Sequence, residues 1–411
     1  MNKLAPKHAA MSQFRIHNNN LVVGGIELPQ LVERVGQTPF YAYDRQLLTQ
    51  RMADLRQAMP EELKIHYAMK ANPMPAVVQH MALIVDGLDV ASAGEMKIAL
   101  DTTMLTENIS MAGPGKKTGE LRQSVATGIT INIESTNELE TLATQSEQLG
   151  TAANVAIRVN PAFELKTSGM KMGGGAKQFG IDEECVPDVL KRIKELDLNF
   201  KGFHIYSGSQ NLQAASIIEV QEKSIALAIK LANKTTSAIE KLNIGGGYGI
   251  PYFPGESSLD IIAIGDALDH RLREAKAEIP TADVIIELGR YLVGEAGVYI
   301  CRVIDKKVSR GQIFLVCDGG LHHHLAASGN FGQVIRKNYP AAIGNKMNFK
   351  IKETVNIVGS LCTPLDILAE RMELPEAETG DLVVIYQSGA YGLSASPTGF
   401  LTQPTASEIL I

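Results

Sequence analysis

Lys70 lies in the segment KIHYAMKAN (64–72), in which Ile65, Tyr67 and Met69 alternate with Lys64, His66, Ala68 and Lys70 until Asn72-Pro73 interrupts the run. That period-two pattern predicts a short strand over 64–70 with Lys70 at its carboxyl end. In α/β proteins this end of a strand is where active sites are built. A lysine among apolar neighbours gives up its proton more readily than a solvated one, so it can act as an amine nucleophile. A surface lysine that merely ends a strand fits the same segment, and the choice depends on residues far downstream.

Three other segments carry residue types that could share a ligand with that lysine. Gly245-Gly246-Gly247 in NIGGGYGI lets backbone N–H groups approach an anion ahead of a helix. A tight strand-to-loop turn is the plain alternative, and the spacing of a dinucleotide fingerprint fails at Ile250. Ser207-Gly208-Ser209 in HIYSGSQ adds hydroxyls for a phosphate, with His204 or Tyr206 as a stacking face or as ordinary core residues. Glu287-Leu288-Gly289-Arg290 sets an acid and an arginine three apart at a strand end, for two ends of one ligand or as a mutual ion pair. Pyridoxal 5′-phosphate uses all of these at once. It takes a lysine for the Schiff base, a carboxylate under its protonated pyridine nitrogen, a phosphate cradle and a stacking face, and its ring is an electron sink. The protein's share is then positioning and electrostatics.

Elements that could bring these segments together repeat from Thr38 onward as apolar strand, small or polar loop and amphipathic helix. PFYAYD (39–44) leads into a helix ending near Met59. After the lysine strand come GLDVAS (87–92), NISMAGPG (108–115), ITINIES (129–135), NVAIRVNP (154–161), KGFHIYSGSQ (201–210), KLNIGGGYGIPY (241–252) and DVIIELGRYL (283–292). Helices separate them, two at about 214–234 and 259–276. Eight alternations counted from the lysine strand predict an α/β fold built on a closed (β/α)8 TIM-like barrel. The Gly- and Lys-rich stretch ELKTSGMKMGGGAKQFGID reads as a mobile loop. After about Arg290, VYICRVIDKKVSRGQIFLVCDGG, NIVGSLCTP and GDLVVIYQSGAYG are short β-rich runs without long helices between them, which predicts a C-terminal β domain. Near the start, FRIHNNNLVVGGIELPQL reads as a hairpin arm and not a helix. The expected division is 1–36 as an arm joining the β domain, 37–290 as the barrel and 291–411 as the β domain.

The 411 residues exceed what one hydrophobic core readily serves, in keeping with two domains. A net charge of −6 argues against nucleic-acid and anionic-membrane binding. No apolar run has the length of a membrane span, and MNKLAPKHAAMSQ lacks the apolar core of a signal peptide. Cys185, Cys301, Cys317 and Cys362 form no metal-type pair, so reduced thiols in a cytoplasmic protein are expected. Consecutive His322, His323 and His324 cannot converge on one ion from a regular element, so no metal is expected and a loop at the active-site mouth is preferred.

Taken in order, YAMKAN, GFHIYSGSQ, NIGGGYG, ELGRYL, SLCTPLD and SGAYG resemble the diaminopimelate/ornithine decarboxylase family, from about Phe14 to the end of the chain. The resemblance implies a pyridoxal phosphate enzyme with an alanine-racemase-type barrel and a C-terminal β domain, acting as a homodimer with active sites at the interface. It implies Lys70 as the Schiff-base lysine and Glu287 as partner of the pyridine nitrogen. Arg290, with Ser209, Gly246, Gly247 and Tyr391, is implied around the phosphate, and Leu288 and Gly289 lie within the same motif. Asp89 and Arg158 fall at family positions lining the site. Cys362 matches the cysteine given across the interface to the neighbouring subunit, where a thiol can reprotonate a carbanion.

Two positions depart from the diaminopimelate pattern. Tyr206 stands where those enzymes have a second histidine, and Thr363 stands where an acid normally follows the cysteine and binds the distal amino group. With KMGG (171–174), DGGLHHH, RKNYP and LCTP, these features resemble a narrower branch, typified by the butirosin-pathway enzyme that decarboxylates a glutamyl group tethered to an acyl carrier protein. An acidic carrier would need basic contacts, which Lys306, Lys307, Arg310, Arg336 and Lys337 could supply, although a solvated charged face is the more ordinary explanation of them. The expectation is therefore an amino-acid α-decarboxylase, with a carrier-tethered glutamyl group as candidate substrate. A diaminopimelate decarboxylase making lysine, a racemase on the same barrel and a non-catalytic pyridoxal phosphate-binding relative are the alternatives.

Overall fold

A computed structural model describes residues 7–163, 170–171 and 173–411. The chain divides into two compact units, one formed by Met1–Gln50, Ile250–Ser258 and Leu292–Ile411, the other by Arg51–Gly249 and Leu259–Tyr291.

The second unit is a closed barrel of eight parallel strands, in keeping with the alternation read from the sequence. In chain order they are β1 (Lys64–Ala68), β2 (Gly87–Val90), β3 (Ile109–Met111), β4 (Thr130–Ile133), β5 (Asn154–Asn160), β6 (Asn199–Ile205), β7 (Lys241–Gly246) and β8 (Asp283–Leu288). Each pairs with the next, and β8 returns to β1 with Glu287 opposite His66. Side chains alternate along such strands. Ile65 and Tyr67 are fully buried on one side of β1, while His66 and Ala68 project to the other, where polar partners wait. The lysine strand is shorter than expected. It ends at Ala68, and Lys70 rides in a single 3-10 turn, Met69–Ala71.

The turns from strand to helix are fixed by local caps. Ser92 accepts from Glu95 N to start the helix Ala93–Leu100, Ser135 accepts from Glu138 N for Thr136–Leu149, and Asp260 accepts from Ala263 N for Ile261–Glu278. Each cap satisfies an otherwise orphaned amide, and Ser92 and Ser135 start their helices a few residues past a strand end. Of the Gly- and Lys-rich stretch expected to be a mobile loop, residues 164–169 and 172 lie outside the described residues, and KMGG falls partly among them.

The first unit is mostly sheet. Strand Gly297–Ser309 folds back on Gln312–Cys317, which pairs with Lys352–Val358 and, through it, with Ile367–Pro375. On its other side Gly297–Ser309 meets Leu382–Ile385, which pairs with Ala341–Ile343. Two expectations change here. Phe40–Tyr43, expected to open the barrel series, instead pairs with Gly297–Ile300 and with Ser407–Leu410, so the barrel series begins at β1. The N-terminal region contains the small sheet Ile16–His17, Asn20–Val23 and Ile26–Glu27, but continues into a helix, Leu28–Val35, where none was expected. Its residues satisfy the helical period. Leu28, Leu31 and Val32 share a buried face, Pro29 sits where its missing N–H costs nothing, and Gly36, at φ 82°, ends the helix by donating to Val32 O. Those three side chains join Phe14, Leu21, Phe40, Val298, Ile300 and Val384 in one core, each fully buried aliphatic contributing roughly 2 kcal/mol.

The histidine triplet also lies in this unit, in turns outside helix and strand, and it is buried. His322, His323 and His324 are each at most 1 % exposed. His323 Nε2 lies 2.7 Å from Pro404 O and His324 Nε2 lies 2.8 Å from Ser388 Oγ. Among the described residues no group of three or more His, Cys, Asp or Glu side chains is arranged to hold a metal ion.

Candidate active site

Residues from the carboxyl ends of several barrel strands line a cavity of about 310 Å³, among them Lys70, Asp89, Arg158, Phe179 and Glu287. Strand ends of a parallel barrel converge there, so residues distant in sequence become neighbours. Lys70 Nζ stands 3.5 Å from Glu287 Oε1. The lysine is 39 % exposed and the glutamate only 6 %. Burial by itself would raise the Glu287 carboxyl, but the Lys70 charge, then His204 and Arg158, hold it well below the usual range. Asn243 Nδ2 donates to Oε2 at 3.4 Å. His204 Nε2 lies 3.0 Å from the same oxygen, in poor line for a hydrogen bond, so this contact is an electrostatic one. Tyr206 turns its ring toward Lys70, with Nζ 5.3 Å from the ring centroid, and meets His204 edge to face.

Asp89 and Arg158 occupy opposite kinds of environment. Asp89 Oδ1 accepts from Ser110 Oγ at 2.6 Å and contacts His66 Nδ1 at 3.1 Å. Arg158 donates to Glu134 Oε1 at 2.8 Å and lies over the Phe179 ring at 4.8 Å. Glu134 also accepts from Gly113 N and Gly180 N, so one buried carboxylate ties three segments of the wall together. Burial is the largest single influence and opposes its charge, but Arg158, Lys116 and the Gly113 amide together outweigh it and hold the carboxyl below its usual range. Glu134, His66, Ser110 and Phe179 were not singled out from the sequence. Glu134 carried a usable signal, since it follows strand β4 at its carboxyl end just as Lys70 follows β1. The other three are ordinary strand or loop residues until the barrel closes.

The glycine motif is a place where backbone must approach backbone. A Cβ on Gly246 would fall 2.1 Å from Glu287 O, and one on Gly247, at φ 77°, would fall 2.4 Å from Gly208 O. Beside it Ser209 pairs with Met170 in a two-residue antiparallel ladder. Gly289 admits the lysine turn, because a Cβ there would meet Ala71 Cβ at 2.8 Å, and Arg290 follows at the start of a four-residue helix. Leu288, included with this motif, is a packing residue. Its side chain is 1 % exposed and would be the neighbour of any Cβ on Gly246. Three buried atoms, Ser207 Oγ, His204 Nδ1 and Asp89 Oδ2, have no hydrogen-bond partner among the described residues. Buried polar groups rarely stay unmatched. Together with the glycine cradle, the amine and the ionised carboxylate, they suit a flat, polar cofactor with an anionic tail.

Cys362 and Tyr391 belong to the other unit. Cys362 is an exposed free thiol in the turn between strands Lys352–Val358 and Ile367–Pro375. Tyr391, at φ 52°, stacks on Phe331 with ring centroids 6.1 Å apart. Of the basic residues considered for carrier binding, Lys306 is paired with Glu353 at 2.9 Å, and Arg336 donates to Ser328 O, Ile367 O and Glu370. These two cations are engaged within their own unit. Among the described residues no helix is long and apolar enough to cross a membrane.

Comparison with known proteins agrees with this geometry. The profile of the family described as pyridoxal-dependent decarboxylase, pyridoxal binding domain, matches residues 45–294. The chain is 38 % identical over 390 residues to the L-glutamyl-[BtrI acyl-carrier protein] decarboxylase of Niallia circulans, covering 93 % of this chain and 91 % of that one. It is 32 % identical over 397 residues to the diaminopimelate decarboxylase of Aquifex aeolicus, covering 96 % and 91 %. Among solved structures, diaminopimelate decarboxylase from M. jannaschii in complex with L-lysine matches with a TM-score of 0.87 at 26 % identity, covering 97 % of this chain and 92 % of that one.

Proposed function

The chain belongs to the pyridoxal-dependent decarboxylase family, and on that footing we propose that it removes the α-carboxylate of a glutamyl group carried on an acyl carrier protein. The observation that carries the site assignment is the Lys70 amine 3.5 Å from a buried, ionised Glu287. Bound at Lys70, pyridoxal phosphate supplies an electron sink for the pair left behind when CO₂ departs. Glu287 holds a proton on the pyridine nitrogen by accepting its hydrogen bond, a role that needs a carboxylate that stays charged although buried. His204 and Tyr206 offer ring faces beside the amine. Ser209, the Gly246 and Gly247 amides and Arg290 bind the phosphate, while the turn through Leu288 and Gly289 sets Arg290 in place. Asp89 and Arg158 form the charged wall.

Cys362 acts as proton donor to the α-carbon in the partner subunit of a homodimer, since a thiol can give a proton to a carbanion and recover it from solvent. Its free, exposed state is consistent with that task and with a cytoplasmic setting. For the substrate, support comes from the Niallia circulans relative and from Thr363, a neutral residue that offers no charge to a distal amino group. A second reading, decarboxylation of free diaminopimelate to lysine, is favoured by the Aquifex aeolicus relative.

One assay separates them. The cofactor-loaded protein is incubated with glutamyl-carrier, free glutamate and free diaminopimelate, and CO₂ release is followed. Release from the carrier-bound substrate at about a hundredfold higher kcat/KM than from either free acid is the expected result. Lysine formed at comparable efficiency from diaminopimelate would overturn the carrier assignment.

A further inference from the structure

Four consecutive barrel strands are joined by a belt of buried polar side chains. Asn132 on β4 donates to Ser110 Oγ at 3.2 Å, Ser110 on β3 donates to Asp89 Oδ1 at 2.6 Å, and His66 on β1 meets that same oxygen at 3.1 Å. His66 and Asp89 side chains are each 6 % exposed. With Asp89 ionised, His66 carries its proton on Nδ1, because a carboxylate only accepts. The imidazole is seated against Gly87, where a Cβ would fall 2.4 Å from Nε2. Both donors converge on one oxygen, and Oδ2 is buried without a hydrogen-bond partner among the described residues. Asp89 itself lines the cavity shared by Lys70 and Glu287.

We propose that His66 is a positioning residue: with Ser110 it fixes one oxygen of Asp89, a residue that lines the cavity, and leaves the other, buried oxygen as an acceptor for a nitrogen donor at the Lys70 end of the bound cofactor. A buried acceptor left unmatched is costly, so a ligand that brings the missing donor binds more tightly for it. The inference rests on the reading of Lys70 as the cofactor-bearing lysine.

The test uses the full-length protein stripped of cofactor and titrated with pyridoxal phosphate, followed by visible absorbance and by the circular dichroism of the bound cofactor. His66→Phe keeps a ring and removes the donor, whereas His66→Asn keeps an N–H near the Nδ1 position. His66→Phe is expected to weaken binding about tenfold and change the dichroic band, with His66→Asn within about threefold of the native protein. Ser110→Ala removes the second donor and is expected to weaken binding about fivefold, which serves if His66→Phe does not fold. Native-like binding by His66→Phe or by Ser110→Ala overturns the proposal. So does equal damage from Phe and Asn, which would mean that ring shape alone matters. A native protein that never colours with the cofactor removes the Lys70 reading and this inference together; a coloured native protein with indifferent variants removes this inference alone.

Discussion

Glu287 sits directly across from His66 in the β8–β1 register, and its carboxylate reaches past the strand end to within 3.5 Å of the Lys70 amine. Two strands from opposite ends of the barrel sequence thus place a buried acid beside a part-exposed amine. Replacing Glu287 by Gln keeps the size and removes the charge. We expect decarboxylation to fall by about a hundredfold or more, equivalent to roughly 3 kcal/mol, with cofactor still bound. Steady-state rates alongside visible spectra measure this, and an undiminished kcat would remove Glu287 from its role.

Glu134 holds Arg158, Gly113 and Gly180 with a single carboxylate. Glu134→Ala leaves a guanidinium buried without its partner, and we expect a loss of about 3–5 kcal/mol in urea unfolding. Glu134→Gln keeps one acceptor oxygen, enough for one of the two amides, which donate to different oxygens, and should lose less than Ala. Because the folded carboxyl is held below its usual 4.5, the stabilisation is present above that pH and is lost as the pH falls from there through the lower value of the folded carboxyl. A flat profile in the native protein between pH 6 and 3 would contradict the assignment.

His324 is held neutral by its surroundings: Nδ1 accepts from Ala327 N at 3.2 Å and Nε2 contacts Ser388 Oγ at 2.8 Å. Burial pushes its pKa down to about 3 from 6.5. Between those values the unfolded chain binds a proton that the folded chain refuses, so stability falls with falling pH, by about 2 kcal/mol at pH 5. Urea midpoints at pH 7.5 and 5 test this. His324→Asn should remove roughly that part of the pH dependence, and an unchanged dependence would count against a buried neutral ring.

Cys362→Ala should slow turnover or scramble the side from which the α-carbon is protonated, without releasing the cofactor. Deuterium placement in product formed in D₂O gives the readout. Native rates with native stereochemistry would take the thiol out of the mechanism.

Much of this protein is legible in residue order. The alternation of apolar strands and helices sets the count at eight, since a parallel sheet requires a crossover between neighbours. Lys70, Glu287 and Arg290 stand out only as a set: each is ordinary alone at a strand end, and together with the glycine and serine motifs they meet the needs of one cofactor. Where the sequence reading erred, short-range signals were ambiguous. The helix Leu28–Val35 shares its apolar residues with a hairpin pattern, and Phe40–Tyr43 reads like any buried strand, because pairing partners are chosen by tertiary structure.

What the order of residues determined by itself was the repeating unit and the types of group available for chemistry. Only the closed barrel decided which of them meet. His66, Asp89, Ser110 and Asn132 sit on four separate strands, and nothing in their spacing joins them. Their hydrogen bonds exist because barrel closure aligns neighbouring strand registers and turns alternate side chains inward, and that alignment is a property of the whole sheet, not of any one segment.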